Sequence, residues 1–448
     1  MNLKKSLHLL LALVLSIYFY SCGEDGNSTS YGTASSDGQI YGLSLSCIAR
    51  SSADTINYAV LAETKFVIDQ AGQRIYNPDS LPFQTTLKKF ATTLKLSPFS
   101  TPAGTTLLFK GDSTATWNST DSIDYSILAG YRIFAENGTP RDYKIELRIH
   151  QIDPDTIPWK TTLPSLAINT NNQKTLLKGN IFYCYSVSGS NLSLNTFDKT
   201  TETWSSKTLA TPPSGINLES LTLFNDQFYA INNAGQTFSS TNGSKWNALS
   251  GTNVHSVLGI LPDATNTLLV VVKSGADYYY ATTTDMKSFE TVTNIVGASS
   301  NKVNASFPSN GFSSATNYGN DKMLIITGGN NFSNNKTNLS WQIKQGDDGL
   351  EVGQAQQNNI FEATSGIASF IYDNKLYALT GNQFYISSSA GFKWVKAPAK
   401  QALDPGMPKT SGQSVIIDSE NNIWIFGGVA NGPIKVYKGR LNRLNPKV

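Results

Sequence analysis

The chain has 448 residues, a formal net charge of +3, and 40% hydrophobic, 11% aromatic and 15% charged residues. That apolar content supports packed cores and excludes global disorder. The length exceeds what one small core needs, so two or three units are expected. With only 35 Lys and Arg there is no basic stripe, which excludes nucleic acid as a partner.

At the N-terminus, Lys4 and Lys5 precede the almost wholly apolar Leu7–Tyr20. This stretch is too short to span a bilayer and has the length of a signal-peptide hydrophobic region. Ser21-Cys22 follows directly, and the arrangement resembles a bacterial lipoprotein cleavage site, with Phe19 and Tyr20 departing from its preferred residues. The resemblance implies that residues 1–21 are a lipoprotein signal peptide and that Cys22 carries the lipid. The membrane is then a partner through acyl chains, and the expected location is the outer membrane or cell surface. Gly23-Glu24-Asp25 resembles a Bacteroidota surface-export signal, and residues 22–38 read as a flexible Ser/Gly/Thr-rich tether. Cys47 and Cys184 fall in separate strand patterns, so free buried thiols are expected rather than a disulfide. There is no CxxC and no metal-ligand spacing, so neither cofactor nor metal is expected.

Residues 39–153 read as strands. Tyr143, Ile145, Leu147 and Ile149 alternate with Lys144, Glu146, Arg148 and His150, the period of a strand with one buried face. Tyr131–Ala135 with Asn137-Gly138 completes a hairpin signal. Tyr41–Ile48, Thr64–Ile68 and Thr105–Lys110 are further strands, and Gly72 marks a turn toward Ile75. The spacing in Leu87–Leu96 fits a short helix or a strand equally. An Ig-like β-sandwich is the economical reading. Asp153-Pro154-Asp155 then reads as the interdomain turn, with Trp159 at the junction.

From residue 160 to 448 a unit recurs. Phe224-Asn225-Asp226-Gln227-Phe228 and Tyr372-Asp373-Asn374-Lys375-Leu376 each read strand, tight Asn/Asp turn, strand, and Val415–Phe426 repeats the form. A polar strand and a closing aromatic follow, at Trp204, Trp246, Phe289, Trp341, Trp394 and Tyr437. A period of about 40–50 residues with four short strands is the signature of a propeller blade. Six anchors predict six blades, each aromatic filling the gap to a neighbouring blade. The fold class is therefore all-β, an Ig-like sandwich followed by a six-bladed β-propeller.

The repeats resemble degenerate Asp-boxes of sialidase-type propellers, with Asn242 or Ala390 where the box carries Asp. Gly328-Gly329 and Gly427-Gly428 resemble kelch repeats of the galactose-oxidase kind. Tyr437–Leu444, Arg141–Trp159 and Arg74–Leu81 resemble Bacteroidota surface lipoproteins of unknown function, which pair an Ig-like domain with a kelch-like propeller. Asp54-Thr55-Ile56, Asp112-Ser113-Thr114, Asp121-Ser122-Ile123 and Asp155-Thr156-Ile157 resemble Bacteroidota O-glycosylation sites, in keeping with export. No characterised activity comes with the resemblance to that lipoprotein family.

Several activities are excluded by residue supply. A sialidase clamps its substrate carboxylate with three arginines, whereas the propeller region has only Arg440 and Arg443. Copper chemistry of the galactose-oxidase type needs two histidines, and the region has only His255. Neither His150 nor His255 has the context of a Ser-His-Asp triad. Two carboxylates suffice for glycoside hydrolysis, and counting does not exclude that, although Asp347-Asp348 reads as a turn. No catalytic residues are assigned. The leading expectation is a non-enzymatic envelope lipoprotein whose propeller binds a glycan or an envelope protein. The alternative is a glycosidase or lyase using a carboxylate pair on the propeller face. Two repeat intervals, Thr291–Asn320 and Asn331–Ile360, are longer than the rest, and insertions of this kind become loops on the binding face. Phe307, Phe312, Tyr318 and Phe332 in those loops are the candidate ligand contacts.

Overall fold

Alternation of apolar and polar residues produces the first unit, residues 1–152. In the computed structural model, described residues are 33–47, 60–88, 90–101, 104–170, 172–188, 191–262, 266–319, 322–355, 361–403, 411–428 and 432–445. Cys22, the expected signal peptide and most of the expected tether lie outside them. One sheet runs in the order Val67–Asp69, Arg74–Tyr76, Pro140–Glu146, Leu128–Phe134, Thr106–Phe109, Thr114–Thr116. Arg74–Tyr76 pairs in parallel with Lys144–Glu146, while the other pairings in this sheet are antiparallel. Ile40–Cys47 and Phe90–Leu96 form a second, two-stranded antiparallel sheet. This settles Leu87–Leu96 in favour of a strand: Phe90 and Thr92 are buried and alternate with Ala91 and Thr93, which are not. Ile40, Leu45 and Phe90 from the small sheet share one core with Ile75, Leu107, Tyr131, Ile133, Tyr143 and Ile145 from the large one.

The second unit, residues 153–448, consists mainly of six sheets with four-stranded paths. Blade I is Gln173–Lys178, Ile181–Ser188, Asn191–Asp198 and Thr203–Lys207. Blade II is Thr222–Phe224, Gln227–Ile231, Thr237–Ser240 and Asn247–Ala248. Blade III is Val254–Leu261, Thr267–Ser274, Asp277–Thr283 and Glu290–Thr291. Blade IV is Ser313–Tyr318, Met323–Thr327, Ser340–Gly346 and Gly349–Ala355, with Pro308–Asn310 and Asn330–Asn331 paired as a small extra ladder. Blade V is Ala368–Tyr372, Lys375–Thr380, Gln383–Ser387 and Val395–Lys396. Blade VI is Ser411–Ile417, Ile423–Gly428 and Gly432–Gly439, and Leu166–Thr170 from the start of the unit completes it as the outermost strand. The first strands of the six blades neighbour one another around the axis, so both ends of the unit meet in blade VI and close the ring.

Each blade buries two faces, and six separate hydrophobic clusters fill the six gaps. Trp246, Phe289, Trp341, Trp394 and Tyr437 each pack into the gap before their own blade, and Trp204 packs into the gap between blades VI and I. The anchors do not occupy one repeated position. Trp341 and Tyr437 sit within third strands, whereas Trp246 and Trp394 follow a turn after the third strand. What recurs is the gap to be filled, not the site of attachment.

The turns explain why these sequences form blades. Asn225 and Asp226, like Asp373 and Asn374, both have positive φ, the two-residue turn whose twist suits a hairpin. After the third strand of blade II, Ser240 Oγ accepts from Gly243 N at 2.9 Å and Asn242 Oδ1 accepts from Ser244 N and Lys245 N, each at 3.0 Å. In blade III, Thr283 and Asp285 make the same contacts with Met286 N, Lys287 N and Ser288 N. In blade V, Ser387 Oγ accepts from Gly391 N, and Ser389 Oγ accepts from Lys393 N at 3.0 Å. This corrects the assignment of Ala390 to the Asp position. Ser389 fills that role, because its side chain is the one that reaches the backbone N–H groups of the turn.

Trp159 follows the boundary between the two units. It stacks on Phe384 of blade V at 5.9 Å and donates to Ala402 O at 2.9 Å, inside the propeller unit. Asp153 and Asp155 likewise belong to this unit: Asp155 accepts from Arg443 at 2.6 Å, and both aspartates pair with Lys400.

Candidate functional site: the axial channel

Six first strands around one axis leave a channel of about 830 Å³, lined from all six blades. These strands leave main-chain groups facing the neighbouring blade, and hydroxyl side chains satisfy several of them. Ser313 Oγ of blade IV accepts from Ser369 N of blade V at 2.7 Å. Ser414 Oγ of blade VI accepts from Thr175 N of blade I at 3.0 Å. Beside it, Gln173 Nε2 donates to Gly412 O at 2.8 Å and to Phe426 O at 2.9 Å, while its Oε1 accepts from Thr175 Oγ1. The serines, threonine and glutamine at the start of these strands therefore lock the ring at the axis.

Among the described residues lining the channel, Lys174 is the only basic side chain and Glu219 the only acidic one. Lys174 is half-buried on the first strand of blade I, on the strand face opposite to Gln173 and Thr175. Burial holds its ammonium below the ordinary lysine value, and the Glu219 charge opposes that shift. Glu219 lies in the short 3-10 turn Leu218–Ser220 that enters blade II, and Glu219 Oε2 accepts from Gly311 N at 2.6 Å. Gly311 has φ +66° at the entry to blade IV, and an added Cβ would meet Ser365 at 2.8 Å.

The four aromatic candidates are not brought together. Phe307 is fully buried between blades III and IV, edge-on to Tyr280 at 5.4 Å and to Trp341 at 5.1 Å, and offers no surface to a ligand. Tyr318 is buried in the gap between blades IV and V. Both serve the blade gaps because an aromatic ring is stabilised more by complete burial than by a loop position. Phe312 lines the channel next to Gly311. Phe332 is partly buried against Tyr278 at 4.4 Å and His255 at 5.4 Å. Burial, with Lys273 nearby, keeps that histidine below its ordinary pKa. Asp347-Asp348 forms the turn between two strands of blade IV. Cys184 is a free buried thiol whose pKa burial pushes up to about 12. The Cys47 side chain lies outside what the structure describes.

Lys174 was not a sequence candidate. In Asn172-Gln173-Lys174-Thr175 it reads as an ordinary strand lysine, and only the position of its strand on the axis distinguishes it. A weak signal exists in retrospect: Asn310-Gly311-Phe312-Ser313, Ser365-Gly366-Ile367-Ala368-Ser369 and Ser411-Gly412-Gln413-Ser414 place a glycine turn and a hydroxyl at the start of three first strands.

Ring, gap-filling aromatics and strand closure together define a six-bladed β-propeller preceded by a smaller β domain. Residues 153–447 match the DUF6242 β-propeller domain, and residues 43–147 match the DUF6242 N-terminal domain of unknown function. The chain belongs to the DUF6242 family. Solved structures with similar folds include a Dyadobacter fermentans protein of unknown function (8% identity, 63% of this chain and 98% of that chain, TM-score 0.41). A gluconolactonase from Xanthomonas campestris (10% identity, 64% and 89%, TM-score 0.42) is also similar. So is YCF48 from Cyanidioschyzon merolae (14% identity, 63% and 98%, TM-score 0.34). The family match carries the assignment, and these distant likenesses add nothing to it. No curated protein matches the chain.

Proposed function

We propose that this protein is a lipid-anchored envelope protein, exported through residues 1–21 and held by Cys22, whose propeller binds a glycan or protein ligand. One observation carries the binding reading: the axial cavity combines apolar side chains with hydroxyls and amides from five of the six blades, and has one lysine and one glutamate among the described lining residues. A lone carboxylate there does not supply the acid and base pair of a glycosidase, so binding is favoured over hydrolysis in the channel. The lipid anchor rests on Lys4, Lys5, Leu7–Tyr20 and Ser21-Cys22. The Ig-like reading of the first unit rests on its two antiparallel-rich sheets around one core. The kelch-like reading of the blades rests on Gly328-Gly329 and Gly427-Gly428.

The binding reading is tested by glycan and protein arrays probed with the chain lacking residues 1–21 and carrying Cys22→Ala. Specific binding that soluble ligand competes away is the expected result. Turnover of a polysaccharide without stable binding would overturn it. The anchor is tested by fractionation: Cys22→Ala is expected to move the protein out of the membrane fraction, and unchanged retention would refute lipidation at that residue.

A further inference from the structure

The channel places one cation where its nearest charge partner does not touch it. Lys174 forms no ion pair and no hydrogen bond through its ammonium among the described residues, although a lysine ammonium carries three donors. Glu219 is the nearest opposite charge acting on it, yet its carboxylate is engaged by Gly311 N across the channel and makes no contact pair with Lys174. Half-buried ammonium groups are ordinarily paired, because desolvation without a partner is unfavourable. We propose that the channel recognises ligands bearing a single carboxylate, of the sugar-acid class, with Lys174 as the anchor for that group. This deepens the binding reading above and rests on it.

Three features fix the ligand class. The cavity, about 830 Å³, accommodates a small ligand of one or two sugar units rather than a chain end alone. Glu219 leaves the lining with no net formal charge from its described ionisable residues, so a monoanion is better matched than a phosphate dianion, which Glu219 repels more strongly. The remaining lining offers hydroxyl groups at Thr222, Ser314 and Thr316, suited to the neutral hydroxyls of a sugar. An anion in contact with Lys174 also favours its protonated form, reversing the effect of burial. Binding is therefore expected to take up protons at alkaline pH.

The test is titration calorimetry of the full chain from residue 22, carrying Cys22→Ala. Glucuronate and galacturonate, as mono- and disaccharides, are compared with the matching neutral sugars and with glucose 6-phosphate. Acidic sugars are expected to bind at least ten-fold more tightly than neutral ones and than the phosphate ester. Lys174→Met is expected to abolish that preference, and Lys174→Arg to retain part of it. Binding enthalpy at alkaline pH is expected to vary with buffer ionisation enthalpy in the parent chain and not in Lys174→Met. Equal affinity for acidic and neutral sugars, or an acidic preference that survives Lys174→Met, overturns the assignment while leaving the binding reading standing. Tighter binding of the phosphate ester replaces the carboxylate by a phosphate. Failure of every member of the panel overturns the sugar-acid assignment, and the arrays above decide separately whether another ligand binds. Circular dichroism and thermal melting confirm that each variant is folded.

Discussion

Asp418 braces the seam where the ring closes. Its side chain is buried after the first strand of blade VI, where Oδ1 accepts from Asn422 N at 2.8 Å and Glu420 N at 2.9 Å. Oδ2 accepts from Trp424 Nε1 at 2.8 Å and Asn422 Nδ2 at 2.9 Å, and Lys199 of blade I approaches to 3.6 Å. Trp424 is fully buried against Phe182 and Phe197 of blade I, so the carboxylate orients the ring that fills the closing gap. Asp418→Ala leaves Trp424 Nε1, Asn422 N and Glu420 N without their acceptor, while Lys199 keeps Glu420 at 3.1 Å. Each such loss costs about 1–3 kcal/mol where the donor stays buried, so the indole N–H and Asn422 N together give about 4 kcal/mol. For a propeller of this size that is a fall in Tm of roughly 10 °C. Asp418→Asn is expected to be nearly as damaging, because an amide nitrogen would face either the indole N–H or the backbone donors.

The pH dependence has a definite sign. Burial raises the pKa of Asp418, but the bonds from Trp424, Asn422 and Glu420 outweigh it and hold the folded value below the ordinary one. The carboxylate therefore contributes stability above its unfolded pKa of about 3.9, and that contribution is lost as pH falls through the lower folded value. Thermal melts of the parent chain and Asp418→Asn should differ most near neutrality and converge below about pH 4. A Tm loss under about 2 °C for Asp418→Ala, or a gap that does not narrow on acidification, would refute the reasoning.

Four further outcomes follow from the packing and turn geometry. Trp394→Ala empties a fully buried site between blades IV and V and should destabilise by about 3–5 kcal/mol, read by chemical denaturation. Gly329→Ala should cost at least about 1–3 kcal/mol, because φ is +96° and the new Cβ would meet Asn310 O at 2.6 Å; an unchanged melting curve would contradict the close approach. Ser389→Asp restores an acceptor with two oxygens to the blade V turn and should stabilise by about 0.5–1 kcal/mol, whereas Ala390→Asp should not. Cys184 should resist alkylation in the native protein at neutral pH and react on unfolding, since burial holds the thiol protonated.

Much of the architecture was legible because its causes are local. Asn225-Asp226 and Asp373-Asn374 set hairpin turns through positive φ at adjacent residues. Ser240, Asn242 and Trp246 fold their own turn with contacts no more than six residues apart. The alternation around Tyr143 reports a buried face without reference to what covers it. Where a local signal was ambiguous, a distant partner decided: Phe90–Leu96 is a strand because Ile40–Cys47 lies beside it. Ser389 rather than Ala390 completes the blade V turn because of side-chain reach, which the motif alone misassigned.

By itself, then, the sequence determined the all-β class, the six-fold repeat and the aromatic that each gap requires, since strand period and turn chemistry act between near neighbours. Only the tertiary structure decided what stands on the axis. Lys174, Glu219, Gly311 and Gly412 are far apart along the chain and meet only because six first strands converge. The same convergence sent Phe307 and Tyr318 into blade gaps and left Phe312 at the channel. A residue's period reports which face of its strand it occupies; only closure of the ring determines whether that face meets another blade or the central cavity.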